Sequence, residues 1–534
     1  MVQVNSDLPD DIAVLRRMLA EKEALLADRD RTIVVRDAEL HAKTLQIEHL
    51  KAQLAVLKRA RFGRSSEKLD REIEQLEFLL GDLEEGIAEG NARAERARNE
   101  PATTRPPADR KPHGRKPLPE HLPRERVVHA PPAACTSCGG TALRLIGEDV
   151  TEVLEYIPSS FKVVQQARPK VSCRACDTIL QAPLPSLPIE KGRPGPTLLA
   201  HVIVAKYADA LPLHRQSVIY ARQGVDLDRS AMADWVGGMT ALVMPLVERI
   251  RDYVLAGPVL HSDDTPVPVL APGRGQTKTG RLWVALRDER PWSGAAPPAA
   301  FYCYSPDRKS EHAEALLGKC RGFLHADAYA GFRGLYEPDP KTGAPKLIEV
   351  ACWSHARRKI YDVHVETASV LAREALERIG EVYAIEAAMN GRPPEQRLAL
   401  RRAEAVPRLA ELNAFLESAL NQISGKSKLA RAIRYSLSRW AALTRYTTDG
   451  RLEICNNAAE RAIRPLALGR KNYLFAGSDL GGVRAAAMYT LIETAKLNGL
   501  DPEAYLRDVF ARIADHPINR ISELLPWHWH PPHR

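Results

Sequence analysis

The chain has 534 residues, too many for a single core, and its 45% hydrophobic and 27% charged content describes several soluble globular units. A formal charge of +9 favours a polyanionic partner over an acidic small molecule. No uncharged apolar run reaches the ~18 residues of a membrane span, and "MVQVNSDLPDDIAVL" has no basic-then-apolar export pattern, so a cytoplasmic location with no membrane partner is expected.

From Ile12 an apolar residue recurs every seventh position: Leu19, Leu26, Ile33, Leu40, Ile47 and Leu54 follow. Within a helical N-terminal region over residues 1–90, this predicts a long helix, free of proline between Leu15 and Leu57, with a coiled-coil seam that joins two chains or packs on its own. Lys22, Arg29, Arg36 and Lys43 occupy the companion column. The basic stretch "LKRARFGRSSEKL" follows, with Arg61 and Arg64 as candidate phosphate contacts. Residues 91–126 are rich in proline, arginine and lysine, the composition of an extended basic linker.

Four of the eight cysteines form two C-x-x-C pairs, "CTSC" (Cys135, Cys138) and "CRAC" (Cys173, Cys176). Two residues between cysteines let both sulfurs of a pair reach one tetrahedral zinc, so residues 127–190 read as a β-rich ribbon around one structural zinc. Residues 191–250 read as helical. Two short helices there, separated by "QGVDLDRS" with Ser230 as an N-cap, suit a helix-turn-helix that binds DNA or an ordinary helical hairpin.

Residues 251–490 change character. Three strand candidates, "PVLHSDDTPVPVL", "RLWVALRD" and "AAFYCYSPD", are followed by a helix, a strand "GFLHADAYAGF", and "KLIEVACWSHARRKIYD", a strand running into a helix. This is the element order of a ribonuclease-H-like fold, interrupted by an α-helical insertion over about 362–446. Asp263 falls mid-strand, where an acid is costly unless it holds a cation, and Asp327 closes a neighbouring strand. The stretch "CNNAAERAIRPLALGRKNYLFAGS" holds one acid, Glu460, among Arg461, Arg464, Arg470 and Lys471. Three converging carboxylates would bind two divalent metals, magnesium or manganese, for in-line phosphodiester displacement. The surrounding cations would meet a DNA backbone. Asp264 is an alternative to Asp263 as a ligand, Asp307 and Asp449 read as surface acids or secondary contacts, and Asn456 and Asn457 as caps of the helix that carries Glu460.

These stretches together resemble the transposases of the insertion sequence 66 family through nearly the whole chain. The resemblance runs over "LKRARFGRSSEKL", the two cysteine knuckles, "KYADALPLHRQSVIYARQGV", "HSDDTPVPVL", "GFLHADAY", "CWSHARRKI", "NNAAERAIRPLALGRKNYLFAGS" and "HPINRISELLPWHW". It implies a catalytic acid triad at Asp263, Asp327 and Glu460. The family usually has glutamate where Asp264 stands, and often aspartate where Cys455 stands. The implied organisation is multidomain α+β: coiled-coil helix, zinc ribbon, helical DNA-binding segment, ribonuclease-H-like core with its insertion, and a C-terminal segment 491–534. The implied partners are double-stranded DNA (element inverted repeats and target), a second copy or more of the chain, and accessory proteins of the same element. A ribonuclease-H-like structure-specific nuclease or a non-catalytic zinc-dependent regulator is the alternative.

Overall fold

The computed structural model describes residues 118–531 except 121, 158–159, 190–191, 272–275, 339–342, 344, 471 and 474, together with residues 20–23, 44, 46, 47, 50 and 53. Arg61, Arg64, Lys471 and most of the linker lie outside the described residues. Of the heptad column only Ile47 is described, and it is buried, as is Leu50.

The cysteine-bearing segment is a four-stranded sheet. β1 (Arg124–Val128) pairs in parallel with β3 (Ser160–Cys173), which forms a long antiparallel hairpin with β2 (Leu143–Ile157) and also pairs with β4 (Ile179–Gln181). The helices α1 (Pro196–Tyr207), α2 (Leu213–Arg222) and α3 (Arg229–Leu255) follow. The second helix of the expected pair is corrected here. α3 runs for 27 residues, its N-cap is Asp228, and Ser230 lies inside it. Met232, Val236, Met239, Val243, Leu246, Ile250 and Val254 recur at three- and four-residue spacing and are buried, so one face of α3 is core. It is long and apolar enough to cross a membrane, yet 67% of its most apolar stretch is buried inside the protein.

A five-stranded sheet comes next, in the order β7 (Ala299–Ser305), β6 (Thr277–Arg287), β5 (Val259–Leu270), β8 (Gly322–Ala326), β9 (Leu347–Ala351). The hairpin strands β5, β6 and β7 are antiparallel, and β8 and β9 add in parallel beside β5. Helix α4 (Ser310–Leu317) connects β7 to β8, and α5 (Arg333–Tyr336) lies between β8 and β9. β5 pairs with β6 over His261–Leu270 but with β8 only over Val259–His261. Pro266 and Pro268 therefore sit where β5 has no β8 partner. The amide of Leu270, at the same parity, points away from β6 to the Ala476 carbonyl (2.9 Å), so the donors that the prolines lack face that open edge.

After β9 come α6 (Trp353–Thr367), α7 (Val370–Ala388), α8 (Pro394–Leu400), α9 (Val406–Asn421), α10 (Lys428–Ser438) and α11 (Trp440–Thr444). They close a second apolar core around Trp353, Ile360, Ile379, Leu412, Leu416 and Ile433. Then α12 (Asn457–Gly469) packs on β5, and α13 (Asp479–Leu497) lies along β7. The hydroxyls of Thr490 and Thr494 accept from the Tyr302 and Ala300 amides (3.0 and 3.2 Å), which covers an edge strand with helix side chains. α14 (Pro502–Arg512) is the last described α-helix, followed by two short 3-10 helices, Ile518–Leu524 and Pro526–His528.

Arg401 fastens the insertion to the chain that re-enters the site. Fully buried, it donates both arms of its guanidinium to Glu386 (2.9 and 2.7 Å) and also reaches the carbonyls of Tyr446, Asp449 and Leu452. Arg401→Ala should destabilise the insertion by about 3–5 kcal/mol, because the Glu386 carboxylate is left buried with its main partner gone. Arg401→Lys should rescue little, lacking the planar fork. Urea denaturation followed by helical circular dichroism checks both.

Candidate active site

Sheet register brings two of the three acids to one level. His261 on β5 pairs with His325 on β8, the last pair between these strands. Asp263 stands two residues beyond His261, and Asp327 two beyond His325, where the strands part. The two imidazoles stack with ring centroids 4.3 Å apart. Burial drives the His261 ring down to about 4 and His325 well below its usual value, so both are neutral at physiological pH.

Asn456 brings the third acid. Its side-chain amide donates to the Ser262 carbonyl (2.9 Å), its Oδ1 meets Nδ1 of His261 (3.1 Å), and its backbone N–H donates to the Cys352 sulfur (3.2 Å). With the amide nitrogen committed to Ser262, His261 is assigned as the donor to Oδ1. The expected capping role is thus corrected: Asn456 occupies the N-cap of α12, but its side chain bonds β5 rather than the first helical amides. Glu460 follows one turn later, its amide donating to the Asn456 carbonyl (3.3 Å).

The acids differ in their surroundings. Asp264 is 1% exposed and clamped by Arg281 (2.9 Å) and Arg308 (2.8 Å). Arg308 also lies 3.5 Å from Asp327 and over the Tyr329 ring. Asp263 makes no ion pair among the described residues and accepts from the Asp264 amide (2.8 Å). Burial, reinforced by the charges of Asp327, Asp264 and Glu460, pushes its carboxyl up to about 7. Glu460 is raised by burial and by Cys352, against His355 and Arg461. Its side chain, 40% exposed, forms one wall of a cleft of roughly 860 Å³ with Ser354, His355, Arg357, Arg358, Tyr361 and Tyr383.

Among the predicted cations, Arg461 and Arg464 are exposed on α12, while Arg470 donates to the Pro266 carbonyl and is tied to β5. Asp307 bonds His312 (2.8 Å) and Asp449 bonds Arg451 (2.7 Å), so both acids are already engaged. Composition gave no signal for His261, His325 or Cys455. Cys455 is buried, 2.8 Å from the Tyr383 hydroxyl, and accepts from Ser354 (3.0 Å). The neighbouring Cys455 thiol, the His355 ring and the Asn456 amide draw the Cys352 thiol below its usual range, and Cys352 in turn pushes His355 up to about 9.

The four knuckle cysteines form a separate cluster that suits one structural zinc ion. Their sulfurs lie within 4.8 Å of one another, with Cys135–Cys176 at 3.3 Å and Cys138–Cys173 at 3.6 Å. The edges of a tetrahedral zinc–thiolate site measure about 3.8 Å, given Zn–S bonds of ~2.3 Å.

Comparison with known proteins adds a family. Residues 191–484 match the family model described as Transposase IS66 family, and residues 132–177 match the zinc-finger binding domain of transposase IS66. Residues 490–527 match the IS66 C-terminal element, and residues 49–127 a model described as Transposase C of IS166 homeodomain. Protein y4hP of Sinorhizobium fredii is 40% identical over 91% of this chain and 88% of its own length. Protein y4qI of the same organism is 38% identical over 99% of each, and y4jD is 39% identical over 77% of this chain and 81% of its own.

The buried histidine and the raised aspartate predict opposite pH responses. His261 is depressed, so its contribution is present above the unfolded value near 6.5 and is lost as pH falls through about 4, on the order of 3 kcal/mol. Asp263 is raised, so its contribution is present below about 4 and is lost as pH rises through about 7. Melting temperature against pH, without divalent ions, should show a steeper acid loss for Asp263→Asn and a flatter one for His261→Gln.

Proposed function

The chain belongs to the IS66 transposase family and is a DNA-binding transposase with a structural zinc module; we propose that it catalyses transposition at a ribonuclease-H-like DDE centre. It binds the terminal inverted repeats of its own element, cleaves strands at those ends and joins the 3′-hydroxyls to target DNA without a covalent protein–DNA intermediate. The observation that carries this reading is where the acids stand: Asp263 and Asp327 each follow the last β5–β8 pair by two residues, and Glu460 follows by one turn the asparagine bonded to His261 of that pair and to Ser262.

The donor set suits hard divalent cations: three carboxylates, one of them so desolvated that it ionises fully at neutral pH only against added positive charge. Two magnesium or manganese ions held there would activate the attacking water or 3′-hydroxyl and stabilise the leaving oxygen. The protein's own groups bind and orient. Asp264 is committed to Arg281 and Arg308, which leaves Asp263 as the free acid of the pair. Arg357 and Arg358 line the cleft beside Glu460, and Arg461 and Arg464 extend the positive surface for a phosphate backbone. Arg61, Arg64 and Lys471 join that surface in this reading. Residues 127–190 and 191–250 recognise the ends, residues 251–490 carry the chemistry, and 491–534 close the chain. Assembly as a homodimer or larger through residues 1–90, accessory proteins of the same element and a cytoplasmic location complete the proposal. A structure-specific nuclease of the same fold has no need of the zinc module, which favours the transposase.

Glu460→Gln, Asp263→Asn and Asp327→Asn should each lower magnesium-dependent cleavage of a labelled element end by about a thousandfold or more, the equivalent of ~4 kcal/mol. Gel-shift affinity for the same DNA should stay nearly constant. Combining Asp263→Asn with Glu460→Gln should add little, since both disable one centre. Asp264→Asn should lower the melting temperature while leaving metal-dependent cleavage detectable. Full cleavage by Glu460→Gln would overturn the mechanism.

A further inference from the structure

Beside the proposed magnesium centre lies a second group of ligands of a different chemical kind. Cys352 precedes α6 and His355 lies three residues on, so one turn presents both toward Glu460 in the first turn of α12. A Cys352 sulfur, a His355 ring nitrogen and a Glu460 carboxylate oxygen all lie within 4.8 Å of one another. Nδ1 of His355 is shielded from solvent, has no hydrogen-bond partner and stands 3.7 Å from Oε1 of Glu460. A buried ring nitrogen set between a thiol and a carboxylate, without a hydrogen bond of normal geometry, calls for an explanation.

We infer that Cys352, His355 and Glu460 form a binding site for a zinc-class divalent ion. The ligand types decide the class: thiolate and imidazole select zinc over magnesium, which takes oxygen donors and keeps its waters. Zinc bonds of ~2.0–2.2 Å from nitrogen and oxygen give a tetrahedral edge of about 3.3–3.6 Å, and His355 and Glu460 stand 3.7 Å apart, a small closure from that edge. Three protein ligands leave a fourth position for water. The N-terminal ends of α6 and α12 favour anions, and so support the ionised thiolate of Cys352 and carboxylate of Glu460 that a cation requires. The Asn456 amide donates to the Cys352 sulfur at 3.2 Å and fixes it in place.

Zinc in this site engages Glu460, so it competes with the magnesium pair for one carboxylate and holds the centre inactive. That competition rests on the reading of Glu460 above, whereas the binding does not. The test therefore counts metal on the full chain without DNA. Chelator-stripped protein, kept under reductant, is equilibrated with zinc, dialysed and measured by mass spectrometry of the metal. The expected result is two zinc ions per chain for the native sequence, and one each for Cys352→Ser and His355→Gln, whose Cys135–Cys138–Cys173–Cys176 centre is intact. His355 is partly exposed, so its substitution stays informative if Cys352→Ser does not fold. One zinc in the native chain, or two in His355→Gln, overturns the inference. Cleavage assays read the proposed function separately, so zinc bound by an inactive chain would count against that function alone.

Discussion

Everything at the candidate site depends on Asn456, one buried residue whose side-chain amide and backbone N–H together reach three neighbours. It joins the backbone of β5, the ring of His261 and the sulfur of Cys352. An amide 1% exposed is expensive unless its bonds are made, so each bond is also a positional constraint. Through it the start of α12 is pinned to the central strand, although the helical insertion separates them in the chain. His261 donates as a neutral imidazole, because burial outweighs the Asn456 bond that would favour its charged form.

The same region handles charge by separating two adjacent aspartates. Asp264 is deeply buried and fully paired, with Arg281 and Arg308 as counter-ions. Asp263 is left without such a counter-ion among the described residues, and its carboxyl is raised accordingly. A strand alternates its side chains between two environments, so neighbours in sequence need not share a role. Arg308 spans Asp264 and Asp327 and stacks on Tyr329, which couples the structural acid to the proposed catalytic one. The raised Asp263 is a local strain on stability that a cation would relieve.

The insertion also shapes the site. Its core closes around Trp353 and the α7–α10 helices, and Arg401 clamps the chain at Tyr446, Asp449 and Leu452 just before the site resumes. Tyr383 of α7 reaches Cys455, so the insertion supplies part of the wall around Glu460. A cysteine in that position is buried and bonded, which gives structural weight to a residue that sequence pattern passes over.

Local chemistry made much of this legible in advance. Two C-x-x-C knuckles, alternating apolar strands and the order of strands and helices around 257–362 are short-range patterns, and the described elements follow them. The helix from Arg229 was misjudged because the polar turn before it suggested a short partner, whereas a long apolar face decided its length and burial. Asn456 read as a cap because asparagine favours that position locally. Its actual bonds go to a strand 194 and 195 residues away in sequence. Which of Asp263 and Asp264 is paired, why His261 and His325 are neutral, and that Cys352, His355 and Glu460 meet are likewise decided by residues distant in the chain. The sequence by itself determined the elements, because propensity and periodicity act over a few residues. Only the tertiary structure decided the electrostatics of the site, because burial and charge pairing depend on what packing brings together.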